Sequence, residues 1–360
     1  MAMLIRNWLA LSFTTALFVL SAAGQTPPAD PSKPSLQGTL LAGAHRVVVL
    51  GDSITYSGQY VDDVEAVLRT RSMMGGLEFL DFGLPSETVS GLSEPGHAGG
   101  KFPRPDLHER LDRVLAKTKP DLVIACYGMN DGIYYPLSEE RFQKFQEGIR
   151  WLRERVTKAG AKIIHLTPPT FDPVPIKGKT LPAGLSEYRK PYEGYNEVLD
   201  RYSAWLISQR TNGWIVIDVH TPMNDYLAER RRESPAFALA RDGVHADDTG
   251  HWLMAERLLQ GLNVPAEGGG IDTKRFPELT TSGPGAELIK LIHKKNRLLS
   301  DAWLTDTGHK RPGMTRGLPL VEAQAQAATL VTTINEAAHG FAAQLPTAPG
   351  GPPPPDKHSK

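Results

Sequence analysis

The segment VVVLGDSITYSGQY, residues 47–60, starts as a run of aliphatic residues and breaks at Gly51-Asp52-Ser53. A serine hydroxyl is a weak nucleophile until a base takes its proton, and that base needs a carboxylate to set its tautomer and stabilise its charged form. Asp242 and His245, in RDGVHADDTGHWLMAERLL, are such a pair, spaced so that a single turn can bring them into contact. Asn130, in ACYGMNDGIYY, follows another apolar run and carries an amide able to donate to a developing oxyanion, an effect worth ~10²–10³ in rate. The Gly and Ser residues of DFGLPSETVSGLSE let backbone N–H groups turn inward. Taken singly, each signal has a bland reading: Ser53 as a helix cap, Asp242 as a turn cap beside a surface His245, Asn130 as part of an Asn-Asp-Gly turn. His251, in the helix that follows, competes with His245 as base and ranks below it.

These residues need a scaffold that brings four distant segments to one edge. Short runs containing Val or Ile, bounded by turn residues or helix ends, predict strands at 46–50, 77–82, 121–127, 161–166 and 214–219. Between the third and fourth, Phe142, Phe145, Ile149, Leu152 and Val156 recur at spacings of 3, 4, 3 and 4, which predicts an amphipathic helix. Ser138 caps it, Glu139 and Glu140 suit its first turn, and Gly160 closes it. A second helix fits residues 192–210, and a third follows His245 with Asp248 or Thr249 as its cap. Strands alternating with helices imply a mostly parallel five-stranded sheet covered on both faces. Ligands of such sheets bind at the carboxyl ends of the strands, which is where Ser53, the DFGLPSETVSG block and Asn130 fall.

The rest of the chain sets the context. Its 360 residues, 40% of them apolar, suffice for one substantial core, and 40 basic against 40 acidic residues give no global field that favours nucleic acid. Residues 1–24 read as a signal peptide, with Arg6 before an apolar stretch and small residues at its end, so a secreted or periplasmic location is expected. No later stretch is apolar enough for a membrane span. The single cysteine, Cys126, lies in a strand-like run and reads as a small buried hydrophobe. Residues 25–42 read as a flexible leader, 43–262 as the α/β domain and 263–283 as a linker. An α-helical hairpin over 284–345 follows, with Leu330, Ile334, Ala337 and Phe341 on one face of its second helix, and 346–360 form a disordered Pro-rich tail. The basic turn of the hairpin, GHKRPGMTRG, reads as a solvated connection, the alternatives being contact with an anionic glycan or cover for the site.

The blocks GDSIT, GLPSETVSG, YGMND and DGVH, in this order over about residues 46–262, resemble those of the SGNH hydrolases, also called GDSL esterases and lipases. The resemblance implies a flavodoxin-like three-layer α/β/α sandwich and a serine esterase without metal or organic cofactor. It gives Ser53 the role of nucleophile, Asp242 and His245 the rest of the triad, and Asn130 and the Ser53 N–H parts of the oxyanion hole. The second block departs from the pattern: Ser86 stands where the family has the glycine whose N–H completes the hole, while Gly83 matches an earlier glycine. Asp52, Tyr56, Tyr127, Tyr134 and Tyr135 are candidate substrate contacts, the tyrosine rings suiting sugars. With export and no apolar lid, the expected substrate is a short-chain acyl ester, foremost an O-acetyl group on carbohydrate. The alternatives are a lipase or thioesterase for longer chains, and a non-catalytic carbohydrate-binding or envelope scaffold on the same fold.

Overall fold

The computed structural model describes residues 36–265 and 273–345. The expected signal peptide, residues 25–35 of the leader, residues 266–272 of the linker and the Pro-rich tail lie outside the described residues. Five strands form one sheet: β1 (Arg46–Gly51), β2 (Glu78–Gly83), β3 (Leu122–Cys126), β4 (Lys162–Leu166) and β5 (Ile215–Ile217). Their order is β2-β1-β3-β4-β5 and every pairing is parallel, which is the doubly wound flavodoxin-like order. Each strand is a nearly continuous buried run, as a sheet covered on both faces demands.

Helices supply the crossovers. The chain runs from β1 through α1 (Ser53–Ser57) and α2 (Gln59–Thr70) to β2. It then reverses direction across the sheet through α3 (Leu111–Thr118), α4 (Glu139–Lys158) and α5 (Tyr195–Ser208). Right-handed crossovers therefore set α2 on one face and α3, α4 and α5 on the other. After β5 come α6 (His220–Glu233) and α7 (Asp248–Gly261), and α7 packs against α2. The amphipathic reading of α4 holds in detail: Phe142, Phe145, Ile149, Leu152 and Val156 are buried, and the Ser138 hydroxyl accepts from Arg141 N–H.

Two boundaries differ from expectation. Residues 36–42 belong to the fold, because Leu41 is buried in the core and Leu40 N–H donates to Leu262 O at 2.9 Å. Part of the expected linker is structured: α8 (Phe276–Thr280) docks Phe276 on the Trp252 ring with centroids 3.9 Å apart. The hairpin, α9 (Gly283–Thr307) and α10 (Leu320–Ala342), packs along α2 and β2. The buried stripe of α10 is Ala323, Ala327, Ile334, Ala338 and Phe341, rotated from the expected one, which leaves Leu330 and Ala337 half-buried.

Charge fastens this seam. Lys295 Nζ donates to both oxygens of Glu65 at 2.6 and 2.8 Å, and Arg69 joins the same carboxylate. Asn296 donates to Asp62 at 2.7 Å, and the His293 ring meets the other Asp62 oxygen at 2.7 Å. A pair so deeply buried is strongly destabilising to break, because the partner left behind keeps an uncompensated charge. Among the described residues no helix is long and apolar enough to cross a membrane.

Candidate active site

The register of the sheet sets the site. Gly51, which ends β1, pairs with Gly83 of β2 on one side and Cys126 of β3 on the other. Ser53, Ser86 and Asn130 therefore leave three adjacent strands at the same level, across the point where the strand order reverses. Asp52 caps α1, accepting from Ile54 N–H at 2.9 Å, and so starts the helix at Ser53. Gly83 makes room for that helix: a methyl group there would stand 2.1 Å from Tyr56 N.

The fourth block arrives from the loop before α7. His245 Nε2 lies 2.8 Å from Ser53 Oγ, and His245 Nδ1 lies 2.6 Å from Asp242 Oδ2. The other oxygen of Asp242 accepts the backbone N–H groups of Val244 and His245 at 3.0 and 2.8 Å. Gly243, at a φ of +81°, gives the turn the left-handed residue it needs. Burial would raise the Asp242 carboxyl, but the bonds from the His245 ring, the His245 N–H and the Val244 N–H outweigh it and hold it below its ordinary value. The side chains of His245 and Asp242 are 52% and 57% exposed, so solvent reaches the imidazole directly. The cap of α7 is Asp247, accepting from Gly250 N–H at 3.0 Å, rather than the expected Asp248 or Thr249.

Asn130 is buried and fully engaged. Its Nδ2 donates to Asp52 Oδ2 at 3.1 Å and, more weakly, to Glu87 O at 3.5 Å. Its Oδ1 accepts from Arg104 Nη1 at 2.7 Å and from the Tyr134 hydroxyl at 3.3 Å. Arg104 is itself clamped by both oxygens of Glu94 at 2.7 Å. A guanidinium can only donate, so it must face the amide oxygen and leaves Nδ2 to point towards Asp52 and Glu87 O. Ser86 adopts a φ of +69°, the left-handed region that suits glycine. Among the described residues, the Ser53 and Ser86 N–H groups donate to no protein acceptor. Beneath the edge, Asp131 Oδ1 accepts Val89 and Ser90 N–H at 2.9 and 2.8 Å, tying the third block to the second. Glu87 pairs with Arg110 at 2.6 and 2.7 Å.

A GDSL-like lipase/acylhydrolase family model matches residues 49–253. The chain belongs to this family. It is therefore a carboxylic ester hydrolase. No curated protein sequence matches it significantly. Among solved structures, a catalytic mutant of an acetylxylan esterase from Geobacillus stearothermophilus is 19% identical with a TM-score of 0.44, the match covering 61% of this chain and 95% of that one. A second acetyl xylan esterase is 20% identical with a TM-score of 0.44, over 60% and 99% of the two chains. A gut microbial diltiazem-metabolizing enzyme is 22% identical with a TM-score of 0.43, over 61% of this chain and 47% of its own, so the chain spans about half its length.

Not every residue singled out in this GDSL-like chain is accessible at the strand ends. Tyr127 is 1% exposed and its hydroxyl donates to Glu87 at 2.7 Å, so it braces the second block from below and touches no substrate. Asp52 is likewise buried, beneath Ser53, where it serves Ile54 and Asn130. Tyr56, Tyr134 and Tyr135 are half-buried near the strand ends. The Tyr56 ring is covered by the Arg297 guanidinium at 3.8 Å, and the Tyr135 ring by that of Arg141 at 5.4 Å. His251 is buried against Ser57 Oγ at 3.1 Å and stacks on Tyr60, and burial lowers its ring to about 4. Cys126 is buried, and burial pushes its thiol up. Sequence reasoning missed Arg104, Glu94 and Asp131 as supports of the site. Arg104 lies in a proline-flanked loop with no periodicity, so only the fold reveals its partner.

Proposed function

We propose that the protein is an exported serine esterase that removes short acyl groups, O-acetyl foremost, from carbohydrate. The observation that carries the catalytic part is the continuous path Ser53 Oγ, His245, Asp242, with contacts of 2.8 and 2.6 Å. His245 takes the hydroxyl proton as Ser53 attacks the ester carbonyl, and Asp242 stabilises the imidazolium. Charge on the carbonyl oxygen rests on the N–H groups of Ser53 and Ser86 and on Asn130 Nδ2. The 3.5 Å bond from Asn130 to Glu87 O is the weaker of its two donations and is the one the oxyanion replaces. The alcohol leaves with the proton from His245. Water, activated by the same ring, then releases the acid and restores Ser53.

The polar surroundings support a small, hydrophilic substrate: Arg104, Glu94 and Tyr134 cluster at Asn130, and half-exposed tyrosines border the strand ends. The amino-terminal residues support export by their signal-like pattern. Turnover of p-nitrophenyl acetate against the octanoate, with acetate release from acetylated polysaccharide, tests the substrate reading. A preference for octanoate would sink it. Labelling by a fluorophosphonate tests the nucleophile, and a folded protein that stays unlabelled at Ser53 would point to a scaffold instead.

A further inference from the structure

The basic turn between α9 and α10 touches the second block at one informative atom. Arg311 Nε donates to Pro85 O at 2.8 Å. That carbonyl belongs to the same peptide unit as the Ser86 N–H, on its opposite side. The guanidinium is held in place by its own turn, with Nη1 near Pro312 O at 3.1 Å and Met314 Sδ at 3.2 Å, and it lies over the Phe102 ring at 5.6 Å.

We infer that Arg311 is a positioning residue for the oxyanion hole, acting from the helical hairpin through the Pro85–Ser86 peptide. This rests on the reading of the Ser86 N–H as an oxyanion donor. Two physical effects follow from the single hydrogen bond. The charged donor polarises the amide, drawing electron density towards its oxygen and making the N–H a stronger donor to negative charge. It also holds the orientation of a peptide whose Ser86 sits at a φ of +69°, where a side chain gives no conformational preference of its own for staying. The family pattern has glycine at this position, and here an arginine from outside the α/β domain holds a serine in the conformation that glycine adopts freely. No proton moves through Arg311, which never touches the substrate. The hairpin thus has a catalytic consequence as well as a packing one, and the turn is not merely solvated.

The test compares Arg311→Met, Arg311→Lys, Lys310→Ala, Arg316→Ala, Ser53→Ala and the unaltered full chain, with p-nitrophenyl acetate turnover, affinity for a boronic acid that forms a tetrahedral adduct, and thermal unfolding. Arg311→Met is expected to lower kcat about 10- to 100-fold with KM near the original, less than the loss of a direct oxyanion donor. Boronate affinity falls with kcat, Arg311→Lys recovers most of both, and the exposed Lys310 and Arg316 variants match the unaltered chain. Unchanged kcat and boronate affinity in a folded Arg311→Met overturn the inference. So does a loss that follows reduced thermal stability and that Arg311→Lys leaves unrescued, since that marks a packing role. Retained turnover in Ser53→Ala would instead remove the triad reading itself, so the two failures are told apart.

Discussion

Glu65 at the hairpin seam and the carboxylates at the strand ends meet the same interior with opposite outcomes. At the seam between α2 and α9, burial alone would raise Glu65, yet the charges of Lys295 and Arg69 and the bonds from Lys295 and Asn296 bring it down to about 2. At the ends of β1 and β2, burial raises Asp52 and Asp81 to about 7, because the backbone N–H groups of Ile54 and Gly83 only partly offset it. Asp131, after β3, is raised by burial to about 6 despite the N–H groups of Ser90 and Val89. Depth of burial is the same in both places, so the partners decide. Glu65, set against two cations, stays ionised and clamps two elements together, whereas burial still raises Asp62 beside it, which has the His293 ring and Asn296, and Glu87, which has Arg110. A carboxylate set against amides orders a loop but keeps its proton into weakly acidic solution.

The strand-end site and the hairpin seam can be perturbed separately. Ser53→Ala attacks the edge alone and is expected to lower turnover ~10⁴-fold or more with the unfolding midpoint unchanged. A shift in that midpoint would show that the edge and the fold are not separable. Lys295→Met attacks the seam alone: urea unfolding should show a loss of about 3 kcal/mol, near the low end for a broken buried pair because Arg69 remains. The folded value of Glu65 lies below its unfolded one, so the clamp is fully present above the unfolded value and fades as pH falls towards about 2. Lys295→Met should flatten that acid dependence, and a variant as stable as the original would leave the clamp without support.

Asp81→Asn probes the opposite case. The native protein holds the Asp81 proton up to about 7 whereas the unfolded chain releases it near 3.8, so stability falls as pH rises between those values. Asparagine still accepts from Gly83 N–H, present now at 2.7 Å, and cannot ionise. The variant should gain up to about 4 kcal/mol over the original chain between pH 4 and 7, then hold that difference. A difference that does not change with pH would mean that Asp81 is ionised throughout. The smallest effect is expected at Ser86→Gly, which keeps the N–H and removes the left-handed strain while freeing the unfolded chain. Stability should move by less than about 1 kcal/mol, and a larger fall would assign the serine side chain a role of its own.

The sheet was legible because its strands are buried on both faces and read as short aliphatic runs, so Val47 to Leu50 and Leu122 to Cys126 announce themselves. α4 was legible from its spacing. Ser53, Asp242, His245 and Asn130 were legible only jointly, since each has a bland explanation alone. The hairpin's attachment was hidden: Glu65, Lys295 and Arg69 look like the solvated charges of ordinary helices, and only the packing of α9 on α2 turns them inward. Tyr127 misled for the related reason that a tyrosine at a strand end can face the cleft or the core, and Glu87 is what draws it down.

The five strands, α4 and the residue types at the strand ends follow from hydrophobic periodicity and turn chemistry, which are local properties of the chain, whereas α8 forms inside a stretch that reads as a linker. Tertiary structure decided what those residues meet. It set the 2.8 Å approach of His245 to Ser53 across 192 residues, the proton-holding burial of Asp52 and the reach of Arg311 to the peptide of Ser86. Contacts and dielectric surroundings arise only when distant segments are packed together, and no spacing along the chain encodes them directly.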